Sequence, residues 1–299
     1  MKRLKQASSA LKHGRNPRGS KFGRRVIRCR VMKRVVLNTT ESTMFKSLPL
    51  LAALITAGLT PSAWAQKAIN NAAALAGGVT PGDTAGYPVT LSEPGHYVLT
   101  SALTVPANKP AIVIDAPNVT LDLNGYRIAG PSICSASSKG MVACAPYHTG
   151  VGVRVNAVNV QIRNGTLVGF DHGVVSHERG VHLQDLTLSQ NRMGAHLTSS
   201  WNDGGIRVER VTAMLNGEYG LYVVGPHQLH QVQAINNGAF GMAVNGSGVV
   251  FDSLATGNGH TGVHSNGTAL RGVRAVDNKL NVAAGAVSMG GNMAGTTPF

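Results

Sequence analysis

Aromatic residues make up only 5% of this chain, with two tryptophans, and charged residues only 13%. Cysteine occurs three times, and there are 13 acidic residues in a length of 299. After residue 65 no apolar run approaches the ~20 residues of a membrane-spanning helix, so that part reads as soluble. Acidic groups are too sparse to form a calcium-binding cluster, and no His-Glu-x-x-His helix offers a zinc site. A formal charge of +14 first suggests a nucleic-acid binder, but the charge is not in the body. Residues 1–43 carry 13 Lys and Arg against Glu41 alone, a net of +12, whereas residues 66–299 are near neutral at +1. A body of that charge cannot sheathe a phosphate backbone, which excludes the nucleic-acid class.

The chain does hold 37 glycines and 43% hydrophobic residues. From Met44 it runs Met-Phe-Lys, an apolar stretch Leu48 to Leu59, and then Pro61-Ser62-Ala63-Trp64-Ala65. A charged start, a short apolar stretch and a small-x-small end describe a signal peptide at 44–65, cleaved near Ala65. The expected location is therefore secreted or periplasmic. Residues 1–43 have three readings: an upstream stretch outside the mature protein, a long n-region, or a basic tail. Cys29 falls in that part; Cys134 and Cys144, in an exported chain, most simply close a small disulfide loop.

Glycines recur at Gly152, Gly173, Gly194, Gly220, Gly241 and Gly262, at intervals of 21, 21, 26, 21 and 21 residues. Each precedes a short alternating segment such as Val153-Arg154-Val155 or Leu221-Tyr222-Val223, the mark of a half-buried strand. A second strand and an Asn corner follow in each unit, as at Asn164, Asn191, Asn216, Asn237, Asn258 and Asn278. Such units bury their apolar face only by stacking, which predicts an all-β parallel solenoid of about 21 residues per coil. Asn is expected to serve these corners by tolerating left-handed backbone and by bonding the Asn of the next coil. The Ala-rich stretch from Lys67 to Gly78 is expected to be a short helix capping the N-terminal end, within a cap at 66–95 before the solenoid at 96–299.

Two segments, Gly95-His96-Tyr97-Val98-Leu99-Thr100 and Val113 through Asn118 to Gly125, resemble the opening coils of exported right-handed parallel β-helix proteins of the pectin-lyase-like class. The resemblance covers roughly residues 80–299. It implies the right-handed hand of the coil and leaves the activity open, since that class spans lyases, hydrolases, epimerases and tailspikes. The polygalacturonase motifs are missing, and Asp171-His172-Gly173 only faintly echoes one of them.

Two insertions, at 131–150 and at Ser199 to Gly205, interrupt the repeat on either side of the first strand. Between them the outward column Arg154, Val175, His196, Tyr222, Ala243 and His264 is expected to stack at about 4.8 Å per coil. With Trp201 and Asp203 on the second insertion, Arg154, His196, Tyr222 and His264 form a candidate polysaccharide groove. A corner column of Asp171, Arg192, Glu218, Ala239 and His260 suggests a catalytic alternative. There the two carboxylates would lie about 9–10 Å apart, near the upper spacing for an inverting hydrolase, and Arg192 would hold a uronate or, if its pKa were depressed, abstract a proton. The plain alternative is a surface charge ladder in which Arg192 relieves carboxylate repulsion. His172, His177 and His182 are spaced too unlike metal ligands for a metal site. The chain is read as a monomer with a polysaccharide or cell-surface glycan partner, no cofactor and no metal. An adhesion or structural module is the remaining alternative.

Overall fold

A computed structural model describes residues 66–136, 141–146, 150–200, 205–283 and 285–299. Trp201 and Asp203, residues 1–43 and the expected signal peptide lie outside the described residues. The described chain is an all-β, right-handed parallel solenoid of about nine turns with ~21 residues per turn. Three parallel sheets run its length. The first holds Val151–Val155, His172–Ser176, Met193–Thr198, Tyr219–Val224 and the opening halves of Phe240–Phe251 and Thr261–Arg271. The second holds Lys67–Ile69, Gly95–Leu99, Val119–Asp122, the opening halves of Gln161–Val168 and His182–Ser189, then Ile206–Glu209 and His227–His230. The third includes Arg127–Ala129, Thr212–Met214, Gln233–Ile235, Leu254–Thr256 and Arg274–Val276.

The register puts like on like. Val153, Val174, Ala195, Leu221, Met242 and Val263 form one inward column of the first sheet, each fully buried. Leu183, Val208, Leu229, Val250 and Leu270 form the second sheet's column. The third column is small, with Leu188 followed by Ala213, Ala234, Ala255 and Ala275. Burial of each large aliphatic side chain contributes about 1.5–3 kcal/mol, so the column drives coil upon coil.

The N-terminal helix is shorter than its composition suggests. Lys67–Ile69 is a strand paired with Gly95–Leu99, and the helix spans Asn71–Ala76. Alternating burial and the unpaired edge of Gly95–Leu99 outweigh helix propensity at 67–69. Asn70 then caps the helix by accepting from the Ala73 N–H at 2.8 Å, and Ala74 is buried on the end of the core. The cap still closes the solenoid, one turn later.

The Asn corners divide the expected labour between neighbouring residues. Asn191, Asn216, Asn237 and Asn258 are buried and, with Asn278, form a ladder, each Nδ2 donating to the next Oδ1 at 2.8–3.3 Å. The left-handed residue is the one before each: Gln190, Leu215, Asn236, Gly257 and Asp277. A ladder Asn needs its amide turned inward, which leaves the turn itself to its predecessor. Asn164 is not a ladder member; it is left-handed and stands beside Asp185 at the corner between the second and third sheets. Phe170 fills the first ladder position, where its N–H donates to Asn191 Oδ1 at 3.0 Å.

Candidate functional site

The disulfide is formed between Cys134 and Cys144, across a hairpin of Ile133–Ala136 and Val142–Ala145. The hairpin lies on the corner that leads into the first sheet. Its two sulfurs sit 3.7 and 3.6 Å from the Asn191 carbonyl. A Cβ on Gly217 would come within 2.8 Å of Cys144 Sγ, and one on Gly238 within 3.1 Å of the Val142 nitrogen. Glycine at these corners lets the hairpin descend along three coils as a wall.

Beside that wall the expected corner column is assembled. Backbone bonds carry Asp171, Arg192, Glu218, Ala239 and His260 from coil to coil. Arg192 Nε donates to Asp171 Oδ1 at 2.6 Å and Nη1 to Glu218 Oε2 at 2.8 Å. His172, one residue before the repeat glycine Gly173, completes the group: its Nδ1 lies 2.7 Å from Asp171 Oδ2. Arg192 Nη2 donates toward both Asp171 Oδ2 and His172 Nε2 at 3.3 Å. Partial burial works against the Asp171 charge, but hydrogen bonds from His172 and Arg192 outweigh it and hold the carboxyl well below its usual range. The hydrogen bond with Asp171 raises Arg192 above its ordinary value despite desolvation. Arg192 therefore does not meet the depressed-pKa condition for proton abstraction. Its guanidinium also occupies the space between the carboxylates in which an inverting hydrolase places its water.

The outward column follows the expected register: Arg154, Val175, His196, Tyr222, Ala243 and His264 are paired coil to coil. A parallel column of His172, Met193, Tyr219, Phe240 and Thr261 stands next to it. The two interlock into one aromatic strip. His196 meets Tyr222 edge-on at 5.0 Å, Tyr219 meets Tyr222 at 5.5 Å, and Tyr219 stacks on Phe240 at 4.9 Å with 8° between planes. Phe240 continues it to His260 at 5.2 Å and His264 at 5.8 Å, while His172 and His177 meet His196 at the other end. Tyr219 and Phe240 were legible in the sequence, since they precede Gly220 and Gly241 by one residue; the groove reading follows only the column after the glycine. Burial among these rings, with His172 and His177 adding to it, lowers His196 to about 4, so its ring is neutral near pH 7. Of the three spaced histidines, His182 lies on the second sheet, apart from His172 and His177 on the first-sheet side. Among the described residues no three such side chains are placed to hold a metal ion.

Acidification should weaken this region in two stages. His196 prefers neutrality when folded, so its contribution is lost as pH falls from 6.5 toward 4; His182 and His227 are shifted in the same direction. Asp171 prefers ionisation, so its contribution, full above 3.8, is lost only as pH falls further, through its folded pKa. Arg192→Met is expected to cost about 2 kcal/mol at neutral pH, because a half-buried carboxylate keeps His172 but loses its permanently charged partner. It should also shrink the lower stage more than the upper, since Arg192 is only the last of the causes that lower His196. Urea midpoints measured from pH 7 to pH 2 check both, and an unchanged acid limb in the variant would contradict the electrostatic account.

No protein-family model matches the chain, and no curated protein matches it. Among solved structures it is similar to the crystal structure of pectate lyase Pel9A, with 14% identity and a TM-score of 0.44 over 66% of this chain and 60% of that one. It is also similar to the Dettilon tailspike protein, with 14% identity and a TM-score of 0.42 over 63% of this chain and 41% of that one. The chain thus spans about three fifths of the pectate lyase and a smaller share of the tailspike, and the likeness is one of fold.

Proposed function

We propose that the protein is exported and that its first-sheet face binds an extended polysaccharide or cell-surface glycan. The observation that carries this is the aromatic strip from His172 through His196, Tyr222, Tyr219 and Phe240 to His264, which runs parallel to the solenoid axis. A ring in each of several successive coils gives a repeating polymer repeating apolar platforms for its C–H faces. The hairpin borders the strip on one side, and the Asp171–Arg192–Glu218 group supplies charged contacts along that border. Arg154 adds an exposed cation at the N-terminal end of the column.

Oligosaccharide arrays test the reading. Tyr222→Ala and Phe240→Ala are expected each to weaken binding about tenfold, the loss of roughly 1.4 kcal/mol of stacking. Equal, negligible binding by wild type and both variants would remove it. The raised Arg192 and its place between the two carboxylates weigh against the catalytic alternative on Asp171, Arg192 and Glu218, which would instead give new reducing ends or an unsaturated product from polyuronates, abolished in Glu218→Ala. Export predicts a mature N-terminus at Gln66 when the secreted protein is sequenced.

A further inference from the structure

His227 opens the strand His227–His230 and stands in a buried column of the second sheet that reads Ile206, His227, Gly248 and Thr268. An imidazole fits there because the next coil supplies glycine: a Cβ on Gly248 would lie 2.5 Å from His227 Cδ2. The ring takes up that space and reaches Thr268, two coils on. Its Nδ1 lies 2.8 Å from the Gly225 carbonyl, which can only accept, so Nδ1 carries the proton of the neutral ring. Nε2 lies 3.1 Å from Thr268 Oγ1, and that oxygen lies 3.0 Å from the Gly246 carbonyl.

These three contacts need three protons, and with a neutral ring the group has two. Nδ1–H serves Gly225. The single Thr268 hydroxyl proton then serves either His227 Nε2 or the Gly246 carbonyl, and the contact it leaves is one of lone pair against lone pair. Thr268 is wholly buried and His227 is 6% exposed, so the interior itself has to supply the missing donor. Gly246 also stands where the ladder slips, since the register between its strand and Thr261–Arg271 shifts between Asn245 and Gly248. The Thr268 bond thus ties an irregular corner to the next coil.

We propose that His227, Thr268 and the Gly225 and Gly246 carbonyls form a proton-operated latch at the corner between the first and second sheets. A proton taken up from solvent bonds to Nε2, leaves the ring cationic and turns Nε2 from acceptor into donor toward Thr268 Oγ1. The Thr268 hydroxyl then rotates to Gly246, and each of the three contacts holds one proton; no covalent bond breaks. The two settings of one hydroxyl are the bistable element that the proton biases. The ring lines a depression of about 330 Å3, which gives the proton its way in. Burial pushes His227 below histidine's ordinary range while the bond to the Gly225 carbonyl works the other way, so the latch sets as pH falls below 6.5. Setting it lowers overall stability, because the unfolded chain takes up the same proton more readily. The neighbouring strands carry Arg207 and Glu209 on one side and His264 and Arg271 on the other, and its own strand carries His230. Arg207 lines the same depression, and none of the five is among the groups that shift His227. The latch does not depend on the first-sheet reading.

The test is NMR of the full chain titrated from about pH 7.5 to about pH 4, following the His227 ring nitrogens and the Gly246 carbonyl carbon. At neutral pH the expected ring is the Nδ1–H tautomer with a bare Nε2. On acidification Nε2 gains a proton, and the Gly246 carbonyl is expected to shift with the same midpoint. Thr268→Val keeps the shape but removes the hydroxyl. It is expected to lower the His227 midpoint by about one pH unit, the worth of one buried hydrogen bond, and to silence Gly246. Thr268→Ser is expected to preserve both signals. A Gly246 carbonyl that does not follow His227 overturns the proposal. So does a valine variant whose midpoint is unchanged or raised, which would mean that Thr268 serves the neutral ring alone, or a ring that stays neutral until the fold melts. Should the valine variant not fold, the wild-type Gly246 titration decides by itself.

Discussion

Replacing Asn216 with Ala is expected to destabilise the solenoid by about 4 kcal/mol, the sum of two or more buried groups left unpaired. Asn216 Oδ1 accepts from the backbone N–H of Asn191 at 3.1 Å and from its side chain at 3.3 Å. Its Nδ2 donates to the Leu188 carbonyl at 3.1 Å and to Asn237 Oδ1 at 2.8 Å. The side chain is wholly buried, so no water replaces those partners. Alanine orphans the Asn191 N–H and the Leu188 C=O at once and opens a gap beside them. At roughly 2–4 °C per kcal/mol for a domain of this size, the melting temperature should fall by about 10 °C. Asn216→Asp keeps the shape and the acceptor yet loses both donors and buries a charge, so it should be no milder. Asn266→Ala, at an exposed corner, serves as the control and should stay within about 0.5 kcal/mol of wild type. Thermal and urea melts decide the matter, and equal losses at Asn216 and Asn266 would refute the ladder's role.

Gly220→Ala should cost about 3 kcal/mol or more, although it adds a single methyl group. The repeat glycines are not chosen for an unusual backbone; Gly220 has no left-handed φ. A Cβ there would sit 2.5 Å from the Gly241 carbonyl oxygen and 2.8 Å from Asn237 Nδ2. Neither is the end of a flexible side chain, since one is backbone and the other is bonded into the ladder. Relief therefore requires two coils to move apart, which forfeits packing along the column. Gly125→Ala is the matching control, with a positive φ of 77° but open space around the would-be Cβ. It should cost only about 1 kcal/mol of backbone strain. Urea denaturation of the two variants separates steric from conformational demand; if Gly125→Ala were the worse, the packing account would fail.

The columns were legible because two periodicities coincide. Alternation within Val153-Arg154-Val155 decides which side chains face out, and the 21-residue spacing decides which of them meet. The same arithmetic places Asp171, Arg192 and Glu218 together, even across the 26-residue unit. What it does not carry is reach: that one guanidinium bridges two carboxylates depends on side-chain rotamers. It also misassigns the corner, because Asn164 and Asn191 look alike in spacing while one turns the chain and the other bonds inward. The contact of His182 with Glu209 on the second sheet, at 3.7 Å, stayed hidden for a related reason. The two come from adjacent coils but are 27 residues apart, because four inserted residues fall between them and they stand two residues apart on their strands. A pattern keyed to the first strand does not see a neighbour on the second.

The ladder has a direction. Every amide passes its proton toward the C-terminal end, from Asn191 to Asn278, which in turn donates to Asn281 Oδ1. The opposite terminus is sealed by the Phe170 N–H. Each end thus has its own fixed terminator while all the rungs between are interchangeable. A duplicated or deleted turn in the middle would leave both terminators satisfied, so the length of the solenoid, and with it the length of its outward side-chain columns, is free to change in whole-turn steps.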